Sequence, residues 1–511
     1  MKRLGNGAAW DLTGRFLTTA ALICGGVMGL LIVCANLLNL AENISPKGLI
    51  FYPAAGICMV LAAVVLCRMV PAKSGVRFCV CLAAAAFAVR WLMVMVAPAQ
   101  PVSDFQIMYD AACGLARGNN VMNDSYYFHR WPYQSAFVAW MALWIRLFGA
   151  DVFFFQMTNC LCGAGTAVLV YGLARRFASP QGARAAGVLY LLYPGSVLLA
   201  PVLTNQHLSE LLLLAALYLA AGEGKDLRRD LGQKAAAGLL LALSNAVRPS
   251  AVVAVLGSAA VLLLTLFRWK ELGRAELLSA AAGTLTVIGV YFLVGEGLSW
   301  LVRVTELNRN GLVSNVPQWK FILGLNQETA GEYSQADADI VFASDQLNEI
   351  QAAAGRLLKE RLAALTPGRL LALFWEKIKG MWGDFEPVLW AFTQDVTDLY
   401  AARGQGEALA WALGKFERIA GGLCIAGSLL IAAGCVRAAL ETERGREVAL
   451  LLTLTALAYF CVHLFIEIQT RYRTLLFAVA MPLAAIGADG LGSLAGRLLA
   501  RWKEKRKEIQ S

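Results

Sequence analysis

Residues Phe16–Leu40 read FLTTAALICGGVMGLLIVCANLLNL, 25 residues without a charge. About 20 apolar residues cross a bilayer, and a secretory h-region is only 7–15 long. The run therefore predicts a retained first transmembrane helix, preceded by Lys2, Arg3 and Arg15. The same signature recurs along all 511 residues. Hydrophobic residues make up 58%, charged residues 16%, and mean hydropathy is +0.59. A soluble domain carries about 25% charged residues. An ordinary cytosolic enzyme and a disordered chain are both excluded, and the expected fold class is an all-α polytopic bundle of about 12–13 transmembrane helices.

Apolar runs at 16–40, 49–67, 78–98, 153–174, 185–201, 205–221, 235–247, 250–267, 277–296, 409–436, 448–466 and 474–492 predict twelve spans. The net charge of +10 is not a nucleic-acid face, because the basic residues lie in short clusters between these runs. The clusters are Lys2/Arg3/Arg15, Arg68/Lys73/Arg77, Arg175/Arg176/Arg184, Lys225/Arg228/Arg229/Lys234, Arg268/Lys270/Arg274, Arg437/Arg444/Arg446 and the tail from Arg497 to Lys507. Twelve spans put all of them on one side, which the positive-inside rule makes cytoplasmic, with both termini. The stretch 134–149, with Trp140, Trp144 and Arg146, is read as an interfacial helix, with a thirteenth span as the alternative. The expected organisation is two N-terminal helices (1–74), a membrane core (75–296) carrying an external loop (99–133), a long external region (297–408), C-terminal helices (409–492) and a basic tail (493–511).

Twelve cysteines fall mostly within apolar runs and lack metal-ligand spacing, so they read as small apolar residues. No P-loop, dinucleotide fingerprint or zinc-protease motif stands where its mechanism would work.

Five separate segments reach the external side, and their polar residues can build one site at the membrane surface. The first loop opens on Ser103-Asp104-Phe105 and continues to Asp110; Ser103 or Asp104 is placed to cap a helix over 105–117. A carboxylate held at the bilayer rim gains basicity by partial desolvation. The same loop closes on Tyr126-Tyr-Phe-His129-Arg130-Trp-Pro-Tyr133, either an interfacial aromatic belt or a site in which Arg130 meets a phosphate or sugar. His207 and Glu210 stand at the mouth of an apolar helix, where ionisable groups are costly. Arg248 precedes the helix-ending Pro249. The region 297–408 is too polar to span, with 337–365 reading as an amphipathic helix and 324–333 as a turn-rich recognition segment. The last turn reads Glu467-Ile-Gln-Thr-Arg471-Tyr472-Arg473, and two arginines flanking a tyrosine suit a phosphate clamp; a structural salt-bridge cluster is the alternative.

Three features together resemble a known family. They are Ser103-Asp104-Phe105 followed by Tyr109 and Gly118; a Pro-led aromatic stretch, Pro132–Gly149, ending in Leu-Phe-Gly and followed by a span ending in Ala174-Arg-Arg-Phe177; and Glu467-x-Gln469-x-Arg471-Tyr472-Arg473 followed by Pro482. The pattern resembles the GT-C glycosyltransferases, and more narrowly the protein O-mannosyltransferase and aminoarabinose-transferase-like group. The resemblance implies an integral membrane enzyme that takes a sugar from a polyprenyl-phosphate donor and inverts the anomeric carbon. It implies a glycan, lipid or protein acceptor on the external side of a cell membrane, here expected to be bacterial. Asp104 becomes the general base. Arg248, Arg471 and Arg473 become the cations for the leaving phosphate, with Tyr472 as a donor. No cofactor is called for, and a divalent metal is optional. Family members often carry a second acidic residue beside the first, and an Asp where this chain has Asn205; here the nearest acids are Asp110 and Glu210. A transporter or flippase of lipid-linked sugars is the competing class. It also wants external arginines but needs no carboxylate base.

Overall fold

A computed structural model describes residues 6–69, 75–222, 224–268, 272–383, 388–440 and 445–493, with side chains from residue 12 onward. The basic residues Lys2, Arg3, Lys73, Lys270 and Arg444, and the tail beyond Ser493, lie outside the described residues. The described chain is helical and contains no strand. Among the described residues, eight helices are long and apolar enough to cross a membrane. Three are N-terminal: α1 (Asn6–Asn43), α2 (Pro46–Met69) and α3 (Gly75–Val96). A helix outside the candidate spans, α4 (Asp104–Ala116), precedes α5 (Ser135–Phe148), and α6 (Val152–Ala174) is long and apolar enough to span. The others are Arg274–Val304, Gly406–Leu440, Arg446–Phe465 and Thr470–Ser493. The chain is thus an all-α, polytopic membrane protein.

Among the described residues, eight of the helices are each long and apolar enough to span, against twelve apolar runs in the sequence. The run 185–201 is not one span. It breaks into α7 (Pro180–Leu191) and a five-residue helix, Pro194–Leu198. Pro194 lacks an N–H and disfavours a helical Tyr193, so the ladder cannot run through. The runs 205–221 and 250–267 form helices of only 15 residues, α8 (Gln206–Ala220) and Val252–Leu266. At 1.5 Å per residue these are about 22 Å long, short of the ~30 Å hydrocarbon core. Between them lies α9 (Leu227–Val247). At 14 residues α5 is also too short to span; it packs on α4 through Phe105, Met108, Val138 and Met141.

Close backbone approach holds the membrane helices together. A Cβ on Gly56 of α2 would stand 2.1 Å from the carbonyl oxygen of Gly422, and one on Gly434 would stand 2.0 Å from that of Leu483. Lipid tails give helices no hydrophobic reason to associate, so small residues that bring backbones into contact supply the dispersion energy instead.

The region 297–408 has its own small core, built from Val316, Trp319, Ile322, Leu323, Ala338, Val341, Ile350 and Ala354. The expected helix over 337–365 is two helices, Gln335–Val341 and Leu347–Ala364. Buried Asp337 crosslinks this core by accepting from Arg361 and from Asn326 Nδ2 at 2.8 Å. Backbone bonds fasten it to the last membrane turn: Glu467 N–H donates to Lys320 O and Ile468 N–H to Gly331 O, each at 2.9 Å. Lys377 of the helix Pro367–Ile378 donates at 2.7 Å to the carbonyls of Gly324 and Ile466.

Candidate functional site

The chain turns from α3 into α4 through Ser103, whose φ of +53° and ψ of −131° are strained for a residue with a Cβ. Neither expected side-chain cap forms. Ser103 occupies the cap position without a side-chain hydrogen bond, and Asp104 is the first helical residue. Such strain persists only where the surrounding structure over-determines it. Its consequence here is to aim Asp104 toward the last membrane turn, 367 residues later in sequence.

That turn carries Arg471, only 7% exposed. Its guanidinium carbon lies 4.3 Å from the ring centre of Trp390, 5.0 Å from that of Phe105 and 5.1 Å from that of Tyr472. Three aromatic faces attract a cation through their quadrupoles while shielding it from water. Nε donates to Gln469 Oε1 at 2.6 Å. Nη1 is buried and has no hydrogen-bond partner among the described residues. Gln206 fixes the backbone beneath, donating to Arg471 O at 2.6 Å and to Thr474 Oγ1 at 3.2 Å. Phe105 adjoins Asp104, so the acid and the cation share one wall. Asp104 is open to solvent on one side. Desolvation by the protein around it raises its carboxyl above the ordinary carboxylate range, against the opposing pull of Arg471 and Lys320.

Arg248 joins the same cluster from the end of α9. Its guanidinium carbon lies 4.8 Å from the Tyr472 ring centre, and Nη1 donates to Asn205 Oδ1 at 3.1 Å. Asn205 in turn donates to Val247 O at 2.9 Å, which ties the start of α8 to the end of α9. The phenols of Tyr127 and Tyr133 close the other side. Burial pushes both above their ordinary value; Tyr127 feels the Asp104 charge and Tyr133 those of Lys320 and Arg248.

Glu467 lies below the arginine, 4% exposed. It accepts from Lys320 and, at 2.9 Å, from Gln469 Nε2. Burial opposes ionisation of Glu467, but Lys320 outweighs it and holds the carboxyl below its ordinary value; the carboxylate likewise raises the Lys320 ammonium against its own desolvation. The pair stays charged and presents a second cation toward Asp104.

The structure therefore brings Asp104, Arg248, Glu467, Arg471 and Tyr472 into one cluster at the ends of the helices. Other sequence candidates lie elsewhere. Asp110 accepts from Gln106 Nε2 at 2.9 Å on the exposed face of α4. Arg130 stacks 4.4 Å from the Phe342 ring centre and pairs with Asp345 at 3.9 Å, so it joins two segments outside the candidate spans. His129 meets Asn310 Nδ2 at 3.4 Å, and its carbonyl accepts from Asn315. His207 and Glu210 are enclosed in the bundle, where Glu210 accepts from the Thr474 hydroxyl. Arg473 is 1% exposed and also enclosed, so the two arginines of the turn do not form a matched clamp.

Sequence reasoning missed Lys320, Tyr127, Gln206 and Trp390. No local pattern marks Lys320, whose partner is 147 residues away. Among the described residues no group of three or more His, Cys, Asp or Glu is placed to hold a metal ion.

No protein family recognised by its sequence pattern matches the chain, and no curated protein does. Solved structures similar to it include the following three. One is the archaeal oligosaccharyltransferase AglB from Archaeoglobus fulgidus, in complex with an inhibitory peptide and a dolichol-phosphate, at 14% identity and a TM-score of 0.49, covering 85% of this chain and 52% of the other. The second is an Archaeoglobus fulgidus oligosaccharyltransferase tethered with an acceptor peptide (14%, TM-score 0.47, 81% and 49% covered). The third is the apo form (15%, TM-score 0.43, 85% and 52% covered). This chain spans about half the length of the structures it matches.

Proposed function

We propose that the chain is an integral-membrane glycosyltransferase that moves a sugar from a polyprenyl-phosphate donor to an acceptor hydroxyl on the external face. The observation that carries this reading is the buried Arg471 guanidinium with an unused N–H, walled by the residue next to a carboxyl of raised basicity. A buried donor without a partner costs about 1–3 kcal/mol. A phosphate oxygen is an acceptor of the right charge to relieve that cost.

In the proposed reaction the acceptor oxygen attacks the anomeric carbon and its proton passes to Asp104. The bond from that carbon to the phosphate oxygen breaks, and the electron pair leaves with the polyprenyl phosphate. An anionic leaving group needs no acid, but its growing charge needs cations already in place. Arg471 faces that charge directly, with Arg248 behind the Tyr472 ring. Lys320 holds the external region against the turn and adds to the positive field. Asp104 accounts for general-base catalysis of about 10²–10⁴-fold. A transporter of lipid-linked sugars has no use for such a base, and the placement of Asp104 beside Arg471 favours the enzyme.

The test is incubation of purified protein in nanodiscs with a panel of polyprenyl-phosphate sugars and hydroxyl acceptors, reading release of polyprenyl phosphate. Release by the wild type and its loss in a folded Asp104→Asn variant is the expected result. Donor moved across the bilayer but recovered intact would overturn the reading in favour of transport.

A further inference from the structure

The first turn of α8 reaches both arginines of the candidate site. Asn205 Oδ1 accepts from the Arg248 guanidinium, and Gln206 donates to the Arg471 carbonyl. Four residues after Gln206, on the same face of the helix, stands Glu210. It is 3% exposed, and the proposed reaction makes no direct use of it. An ionisable group inside an apolar helix is costly to keep. Among the described residues its carboxyl forms no salt bridge, and its one hydrogen-bond partner is the Thr474 hydroxyl.

Thr474 follows Arg471 by three residues, and its Oγ1 takes the second N–H of Gln206 at 3.2 Å. With that lone pair engaged, the hydroxyl hydrogen has two acceptors in reach, the Glu210 carboxyl and Arg471 O, the latter at 3.2 Å. A carboxylate only accepts, and it accepts more strongly than a neutral carbonyl, so the hydrogen goes to Glu210. Gln206 is then left as the donor to Arg471 O, at 2.6 Å. The next carbonyl, Tyr472 O, is held at 2.8 Å by the Tyr459 hydroxyl. Two successive carbonyls are thus pinned, which fixes the backbone from which the Arg471 guanidinium projects between Phe105 and Trp390.

We propose that Glu210 is a positioning residue for Arg471: through Thr474 and Gln206 it sets the backbone of the turn, and so the aim of the guanidinium at the leaving phosphate. The catalytic half of this assignment rests on the transfer reading above; the geometric half does not.

The experiment uses the full chain in nanodiscs, with Glu210→Leu, Glu210→Gln, Thr474→Val and the Glu210→Leu/Thr474→Val double variant. The first readout is the rate at which phenylglyoxal modifies Arg471, followed by peptide mass spectrometry, with Arg248 as the internal comparison. The wild type should protect Arg471. Glu210→Leu and Thr474→Val should each speed its modification by about tenfold, because each removes the same charge-assisted bond. The double variant should be no faster than either single one, since the two act through one link. Glu210→Gln, whose amide carbonyl can accept from Thr474, should recover most of the protection. The second readout is transfer, in which Glu210→Leu should lower kcat by about tenfold and leave KM for the acceptor unchanged. Thr474→Val, which is nearly isosteric, decides the matter if Glu210→Leu does not fold. Unchanged modification of Arg471 in the folded single variants, or additive effects in the double variant, overturns the proposal. A faster-modified Arg471 with wild-type kcat overturns its catalytic half. Absence of transfer in the wild type would instead count against the transfer reading, while the modification rates still judge the positioning.

Discussion

Replacing Arg471 by Lys keeps a positive charge in the turn and removes everything else that the structure gives this side chain. Arg471 now makes one 2.6 Å bond through Nε to Gln469, lies within about 5 Å of three aromatic ring centres, and keeps Nη1 in reserve. An ammonium is a compact, strongly hydrated point charge, with no planar face to lie on Trp390 and no second donor fixed in a fork. A hydrogen bond involving a charged group is worth about 1.5–3 kcal/mol, and the cation–π contacts add ~1 kcal/mol. If Arg471 meets the leaving phosphate through the fork, the Lys variant loses about 3 kcal/mol of transition-state stabilisation, roughly a 10²-fold fall in kcat/KM. Arg471→Ala loses the charge as well and falls further. The assay is release of polyprenyl phosphate from labelled donor in nanodiscs, with circular dichroism confirming the fold of each variant. A Lys variant within twofold of wild type would show that the planar fork recognises nothing. An equally active Ala variant would remove Arg471 from the reaction altogether.

Other outcomes follow from the same geometry. Because Asp104 titrates above the ordinary carboxylate range, transfer should rise with pH as the base deprotonates, along a limb set higher than that of a free aspartate; Arg471 pulls this value down, so the residual activity of Arg471→Ala should show its limb at still higher pH, and an unmoved limb would uncouple the two groups. Lys320→Ala leaves the Glu467 carboxylate buried without its main cation and should cost ~2 kcal/mol, after discounting for the partly exposed ammonium, read as a lowered thermal midpoint; adding Glu467→Gln should restore part of it. Burial holds the Lys377 ammonium down to about 7, against an ordinary 10.5. Between those values the unfolded chain binds more protons, so this contribution to stability grows as pH rises from 7 toward 10; thermal scans at pH 7 and 9 should show it, and Lys377→Met should flatten the difference. Gly56→Val drives a side chain into the Gly422 carbonyl and should lower stability by ~2 kcal/mol or more, measured by unfolding in detergent.

The membrane helices were legible in the sequence because a bilayer demands long apolar runs, and α1, α2, α3 and α6 lie where those runs do. Legibility failed where one run holds two elements. Tyr193-Pro194-Gly195 breaks 185–201, yet hydropathy averages across it. At the site, Asp104 and Arg471 were visible as polar residues just outside apolar runs, but hydropathy alone does not say which polar turns meet. Arg130 and His129 looked equally apt, but what they hold is the region 297–408, through Phe342, Asp345 and Asn310, and local sequence does not distinguish a loop fastener from a ligand. Lys320 was invisible for a related reason: its meaning lies in a carboxylate 147 residues away.

The spacing of the cluster along the chain has a consequence for biogenesis. Asp104 is translated 367 residues before Arg471, and the segment bearing Lys320 docks on the later turn through Ile466, Glu467 and Ile468. A nascent or prematurely terminated chain can thread most of its helices into the bilayer while displaying the acid alone. Such a product lacks Arg471 and the Glu467–Lys320 pair, so the cluster is completed in a single late step of insertion instead of accumulating helix by helix.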